Sequence, residues 1–334
     1  MSSKILDEVL ASLHVLSLPM KVKFRGIESR EIALFKGPFG WGEFSPFLEY
    51  DEVESLPWLM SGIEAAFAPA ITTIRKSISI NATLPEIDSK LRIAEILSWY
   101  PGCQTVKIKV GNDLDRDLAR VEIVRSINPT AKIRLDVNGS WEVEYAKSAL
   151  SAIFEITEEF FEYVEQPCQS LAELRKLKNE INIPIKIAGD EVFRKVNDPF
   201  SIDVSGAIDV MILKAAPLGG IRRSLALAAH HGLPVVISSA LESAVGIAHE
   251  LQLAAALPEL SYDSGLGTGA LFVGDVGFHQ INNGQIAMEP LIPNLAALSK
   301  FAALPERKTW WQDRIRKTWA SGADAWISSE RWEP

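Results

Sequence analysis

The feature that most constrains this 334-residue chain is an alternation that begins near residue 78. Short β-prone segments recur at 79–82, 105–110, 132–136, 161–165, 185–188, 210–213, 235–238 and 260–263. Longer segments with amphipathic helical patterning lie between them, for example 113–126, 142–152, 171–179, 221–231 and 241–257. Strand, helix, strand at this spacing implies parallel βαβ units. Eight strands in succession favour an α/β barrel of the TIM type over an open doubly wound sheet. The last strand breaks the pattern, because Gly265-Leu266-Gly267-Thr268-Gly269 follows it and no clear helix does.

The flanks read differently. Segments 20–25 and 30–35 are β-prone, and Gly26-Ile27-Glu28-Ser29 between them resembles a hairpin turn. A Gly/Pro/aromatic loop follows at 37–46, and 51–77 suits helices broken at Pro57 and Pro69. The tail, from about residue 285, carries Trp310, Trp311, Trp319, Trp326 and Trp332, and is expected to pack back on the first domain. The expected division is therefore 1–80 as an α+β capping domain, 81–284 as the barrel and 285–334 as a returning segment. At roughly 150 residues per domain, the length accommodates this.

Charge and composition exclude several classes. There are 34 Lys+Arg against 43 Asp+Glu, a formal net charge of −9. Non-specific nucleic-acid binding relies on neutralising phosphates, so a nucleic-acid partner is not expected. Cys103 and Cys168 stand outside any CxxC pattern, so neither a disulfide framework nor a cysteine zinc site is expected. The N-terminal residues lack a secretory leader pattern. The longest apolar stretch, 244–257, is interrupted by His249, Glu250 and Gln252, and falls short of a membrane span. A cytoplasmic location without a membrane partner is the expectation.

The chemistry shows in what ends each barrel strand. Lys107 and Lys109 end the second strand, Asp136 the third and Glu165 the fourth. Asp190 lies just beyond the fifth, Lys214 ends the sixth, and Ser238 and Ser239 the seventh. From Lys109 to Asp136, Glu165, Asp190 and Lys214 the steps are 27, 29, 25 and 24 residues, one βα unit each. All of these residues return to the face where barrel active sites are built. Three carboxylates converging there would repel one another and raise each other's pKa. A hard divalent cation resolves that conflict, and an all-oxygen set suits Mg²⁺, with Mn²⁺ as a substitute. The lack of His and Cys argues against zinc. Lys107, a like charge beside Lys109, lowers its pKa towards that of a general base. Lys214 faces it as a second acid/base or as a passive stabiliser. Metal plus base defines abstraction of a proton next to a carboxylate, so a small anionic carboxylate is the expected partner.

The motifs T-V-K-I-K-V-G (105–111), L-D-V-N-G (135–139), V-E-Q-P (164–167), A-G-D-E (188–191), I-L-K (212–214) and S-S-A-L-E-S-A-V-G (238–246) resemble the enolase superfamily, muconate-lactonizing subgroup. Within it they look most like the o-succinylbenzoate synthase family. The resemblance extends to G-W-G-E-F-S-P (40–46) in the first domain. It implies a (β/α)7β barrel, which fits the missing eighth helix. It implies that Asp136, Glu165 and Asp190 bind Mg²⁺ with Asn138 beside them. It also implies that Lys109 removes the proton next to the carboxylate of a cyclohexadiene and then protonates the departing hydroxyl from the same face. Lys214 would stabilise the developing charge. The 37–47 loop would close over the site, and Ser239 with Gly265 and Gly267 would contact the succinyl group.

Other readings stand beside these. Glu191 competes with Asp190 as metal ligand. Glu242 reads as a helix N-terminal charge. The five histidines, His14, His230, His231, His249 and His279, show no ligand spacing. Leu218-Gly219-Gly220 could open a helix whose free N–H groups meet an anion. The competing functions are an N-acylamino acid racemase and a metal-binding barrel without catalysis. Racemases of this kind often carry Arg three positions after the second lysine, where this chain has Pro217.

Overall fold

Residues 2–330 are described in the computed structural model. Segments rich in Val, Ile and Leu that hide both faces form a parallel sheet of seven strands, as expected where helices cover both sides. They are Ala82–Leu84, Thr105–Lys109, Lys132–Asp136, Phe161–Glu165, Ile187–Gly189, Val210–Leu213 and Val235–Ile237, hydrogen-bonded in chain order. Several of the helices begin at side chains that satisfy their free N–H groups. Asp113 and Ser243 do so singly, and Ser170 with Glu173 forms a capping box.

Two strand expectations shift. The first barrel strand is Ala82–Leu84, because Ser77–Ser79 pairs antiparallel with Gln285–Ala287 in a separate sheet. No strand forms at 260–263. Instead Ser264 bridges in parallel to Ile80 and Gly265 to Ser238, so one short segment meets both edges of the sheet. Side chains supply what the missing ladder does not. Thr105 Oγ1 donates to Asp263 Oδ2 at 2.6 Å. The fully buried Arg134 donates to the Asp263 carbonyl at 2.6 Å and to Asn81 Oδ1 at 3.0 Å.

The N-terminal elements form a second layer. Strands His14–Phe24, Ile27–Lys36 and Trp41–Phe44 make an antiparallel sheet, and helix Glu52–Phe67 packs against its last strand. The hairpin turn is not 26–29. Phe24 pairs with Ile27, leaving the two-residue loop Arg25-Gly26 with φ of +49° and +80°. Both residues of such a turn must be left-handed to match the strand twist. Residues 41–44 of the expected loop are therefore a strand. Pro57 does not end its helix, because burial of Trp58, Leu59, Met60 and Ile63 outweighs one lost hydrogen bond.

The tail returns to this layer. Helix Pro305–Ala320 packs on helix Glu52–Phe67, with buried Trp311 edge-on to Phe44 and its indole N–H on Glu31 at 2.8 Å. Arg314 in the same helix donates to the carbonyls of Phe47 (2.8 Å) and Tyr50 (2.9 Å). Trp332 lies outside the described residues. No helix among them is long and apolar enough to cross a membrane.

Candidate active site

Backbone register assembles the charged cluster. Lys109 lies opposite Asp136, and Asp136 opposite Glu165. Glu165 lies opposite Ala188, and Asp190 follows as its strand ends. Lys214 stands just past Val210–Leu213. A side chain pointing inward at Lys109 repeats two residues earlier at Lys107.

The cations and carboxylates are interlocked. Lys107 Nζ contacts Glu165 Oε2 at 2.9 Å and Asp136 Oδ2 at 3.2 Å. Lys109 Nζ contacts the same Asp136 oxygen at 2.6 Å and Asn138 Oδ1 at 2.5 Å. Lys214 Nζ meets Asp190 Oδ2 at 2.6 Å. Arg194, absent from the sequence expectations, donates to both Asp190 oxygens at 3.1 and 3.2 Å, to Glu191 and to Tyr50. Four carboxylates thus face four cations, and the formal charge of the cluster is zero.

That balance outweighs the expected mutual repulsion at Asp136 and Asp190, whereas the repulsion persists at Glu165. Burial raises the pKa of Glu165, and neighbouring Asp136 adds to the rise. Burial also opposes charge on Asp136 and Asp190, yet both are held below the usual range. Lys109 and Lys107 hold Asp136 there, and Arg194 and Lys214 hold Asp190. The two lysines of one strand diverge. Burial disfavours charge on Lys107, but Glu165 and Asp136 outweigh it and raise its pKa. Burial lowers that of Lys109, and Lys107 lowers it further against the pull of Asp136. The expected tuning by Lys107 is present, with desolvation as the larger cause. Phe24 helps supply that desolvation, with its ring centre 5.7 Å from Lys109 Nζ.

The carboxylates can be tested as a metal site. Among the described residues, no three His, Cys, Asp or Glu side chains are gathered as a ready-made cage. Ammonium groups stand between them instead. Even so, Asp136 Oδ1 and Glu165 Oε1 are buried without a hydrogen-bond partner. Such orphaned anionic oxygens on neighbouring strands suit a hard divalent cation. Asp190 has both oxygens engaged, whereas Glu191 Oε2 beside it is buried and unpartnered.

One pocket gathers Lys107, Lys109, Asp136, Asn138, Lys214, Ser239 and Gly265. Gly267 is outside it, packed towards Tyr100 and Ile80 and lining a separate groove near Trp99 and Phe278. The residue turns away because the 267–271 segment coils into a 3₁₀ turn after the sheet contact. Ser239 Oγ is 2.6 Å from Thr268 Oγ1. The first-domain wall comes from Phe24, Arg25, Phe47 and Trp58, so of the expected 37–47 lid only its last residue reaches the site.

One contributor carried no readable role in the sequence. Gln166 Oε1 accepts from the backbone N–H of Asp190 (3.0 Å) and of Val192 (3.3 Å), fixing that strand end. It was visible only as one letter of V-E-Q-P. The N–H groups opening helix Ile221–His231 meet no free anion, because Glu64 from the first domain accepts from Ile221 and Arg222. Glu242 is buried just before the helix that Ser243 caps, and burial beside Glu43 raises its pKa to about 7.

The chain matches two family models, "Enolase C-terminal domain-like" over residues 93–291 and "Enolase N-terminal domain-like" over residues 15–66. It is 46% identical over 314 residues to o-succinylbenzoate synthase of Mycolicibacterium smegmatis, covering 93% of this chain and 96% of that one. It is 47% identical over 315 residues to o-succinylbenzoate synthase of Mycobacterium leprae, covering 93% and 92%. Its fold matches muconate lactonizing enzyme from Pseudomonas putida with a TM-score of 0.72 at 20% identity, covering 87% of this chain and 98% of that one.

Proposed function

The chain belongs to the enolase superfamily, and from that premise we infer that it catalyses the o-succinylbenzoate synthase reaction. This is the dehydration of 2-succinyl-6-hydroxy-2,4-cyclohexadiene-1-carboxylate to o-succinylbenzoate, a step of menaquinone biosynthesis. The observation that carries the residue assignment is a partly desolvated lysine, Lys109, beside carboxylates that hold two orphaned buried oxygens.

We read the sheet, with the segment at Ser264-Gly265 closing it, as a (β/α)7β barrel spanning 81–284. Residues 1–80 then form the capping domain, and 285–334 pack back on it. The bridges from Ser264 and Gly265 to opposite edges support this reading. Reduced Cys103 and Cys168 suit a cytoplasmic enzyme.

Neutral Lys109 takes the proton from the ring carbon bearing the carboxylate. The electron pair moves into the ring as the C–O bond breaks. The Lys109 ammonium returns the proton to the leaving hydroxyl, so water departs from the same face and the ring becomes aromatic. Lys214 sets a cation against the charge spreading through the ring. Lys107 stays protonated and keeps Lys109 poorly basic enough to start neutral. Phe24, Phe47 and Trp58 exclude water. Asp136, Glu165 and Asp190 would hold Mg²⁺, with Glu191 as the competing third donor. Bound there, the ion supplies positive charge against the negative charge that grows on the substrate carboxylate.

The presence of both Lys109 and Lys214 in one pocket also suits an N-acylamino acid racemase, which needs a base on each face. Purified protein assayed with both substrates separates the two. Dehydration faster than N-succinylamino acid racemisation is expected. Efficient racemisation with negligible dehydration would reverse the assignment.

A further inference from the structure

Five cations line the active-site pocket: Arg25, Lys107, Lys109, Arg194 and Lys214. Four of them are committed to carboxylates of the cluster. Arg25 is not. Among the described residues its guanidinium has no carboxylate partner and no hydrogen bond, and the side chain is exposed. Its position is defined nonetheless, 4.2 Å above the Phe47 ring. That ring packs edge-on to Trp58 and Tyr50, and Arg314 holds the Phe47 carbonyl.

The backbone gives a second, independent observation. Arg25 occupies the first position of a two-residue hairpin loop at φ +49°. Asn, Asp and Gly suit that position, and most other residues are strained there by their Cβ. Turn geometry therefore does not account for arginine at 25. The hairpin that carries it is tethered to the barrel. Lys21 Nζ donates to the Ala270 carbonyl at 2.9 Å, and Arg92 donates to the Lys21 carbonyl at 2.8 Å.

The reaction adopted above uses a substrate with two carboxylates. One sits beside the reacting carbon, at the lysine and carboxylate cluster. The other ends the succinyl arm and meets no uncommitted cation in the cluster. We propose that Arg25 is a specificity-determining residue that clamps the succinyl carboxylate from the capping hairpin. A planar guanidinium offers that carboxylate two parallel hydrogen bonds. This rests on the dehydration reading, because it takes its second anion from that substrate.

The test compares two probes on the Mg²⁺-loaded protein: o-succinylbenzoate, with two carboxylates, and benzoate, with one. Arg25→Met should weaken o-succinylbenzoate binding about 10- to 100-fold and leave benzoate within about twofold. Arg25→Lys should fall between Arg25→Met and wild type. Arg25→Asn should show the same selective loss while keeping or raising the thermal midpoint, because it suits the turn. Equal weakening of both probes, or of neither, would overturn the clamp. A wild-type protein that binds o-succinylbenzoate selectively through Arg25 yet never dehydrates the cyclohexadiene would sink the reaction and leave the clamp standing.

Discussion

Replacing Lys107 with Met should move the pH dependence of the enzyme in a direction fixed by geometry. Lys107 and Lys109 share one oxygen of Asp136, at 3.2 and 2.6 Å, so their ammonium groups lie within roughly 6 Å of each other. At an effective dielectric constant of about 20, two like charges at that distance repel by about 3 kcal/mol, worth roughly a hundredfold in the proton affinity of Lys109. Removing Lys107 also releases Asp136 and Glu165 to attract the Lys109 proton, which acts in the same direction. A general base must be neutral to work, so activity rises as pH climbs through the Lys109 pKa. The variant should therefore show the acidic limb of its kcat/KM profile displaced to higher pH, with a large loss at pH 7 that narrows towards pH 10. It should also be less stable by about 3–5 kcal/mol, because a buried pair has lost one partner. The assay is dehydration followed spectrophotometrically across pH, beside thermal unfolding of the same samples. An acidic limb that stays in place, or moves to lower pH, would refute the argument that Lys107 tunes Lys109.

Two further outcomes follow from other parts of the structure. Asp190→Asn should weaken Mg²⁺ binding, measured by calorimetry, by tenfold or more, whereas Glu191→Gln should change it less. The reverse order would make Glu191 the third ligand. Trp311→Ala removes a fully buried ring and its bond to Glu31, and should cost about 3–5 kcal/mol of stability in denaturant titration. A loss below about 1 kcal/mol would mean that the returning tail does not hold the first domain.

The sequence was most legible where one period governs. Lys109, Asp136, Glu165, Asp190 and Lys214 recur at single βα steps, and the sheet register brings their side chains into one cluster. It was least legible where long-range contacts override local pattern. The stretch 260–263 looks like a strand, yet side chains such as Thr105 and Arg134 hold it without a ladder. The turn at Arg25-Gly26 was misplaced because Arg is a poor marker of a left-handed position. Arg194 was invisible because it reaches Asp190 from one turn along a short helix, a spacing shared by many surface arginines. The balance of charge in the site was also unreadable. Counting three carboxylates predicted repulsion beside three lysines, and only the paired geometry showed that the lysines interleave with the carboxylates and that Arg194 and Glu191 join them.

The most direct test of the account is turnover by Lys109→Ala with Mg²⁺ affinity measured on the same preparation. The account predicts that dehydration of 2-succinyl-6-hydroxy-2,4-cyclohexadiene-1-carboxylate falls by about a thousandfold or more, while Mg²⁺ binds within a few-fold of wild type. Turnover within tenfold of wild type in that variant would contradict it.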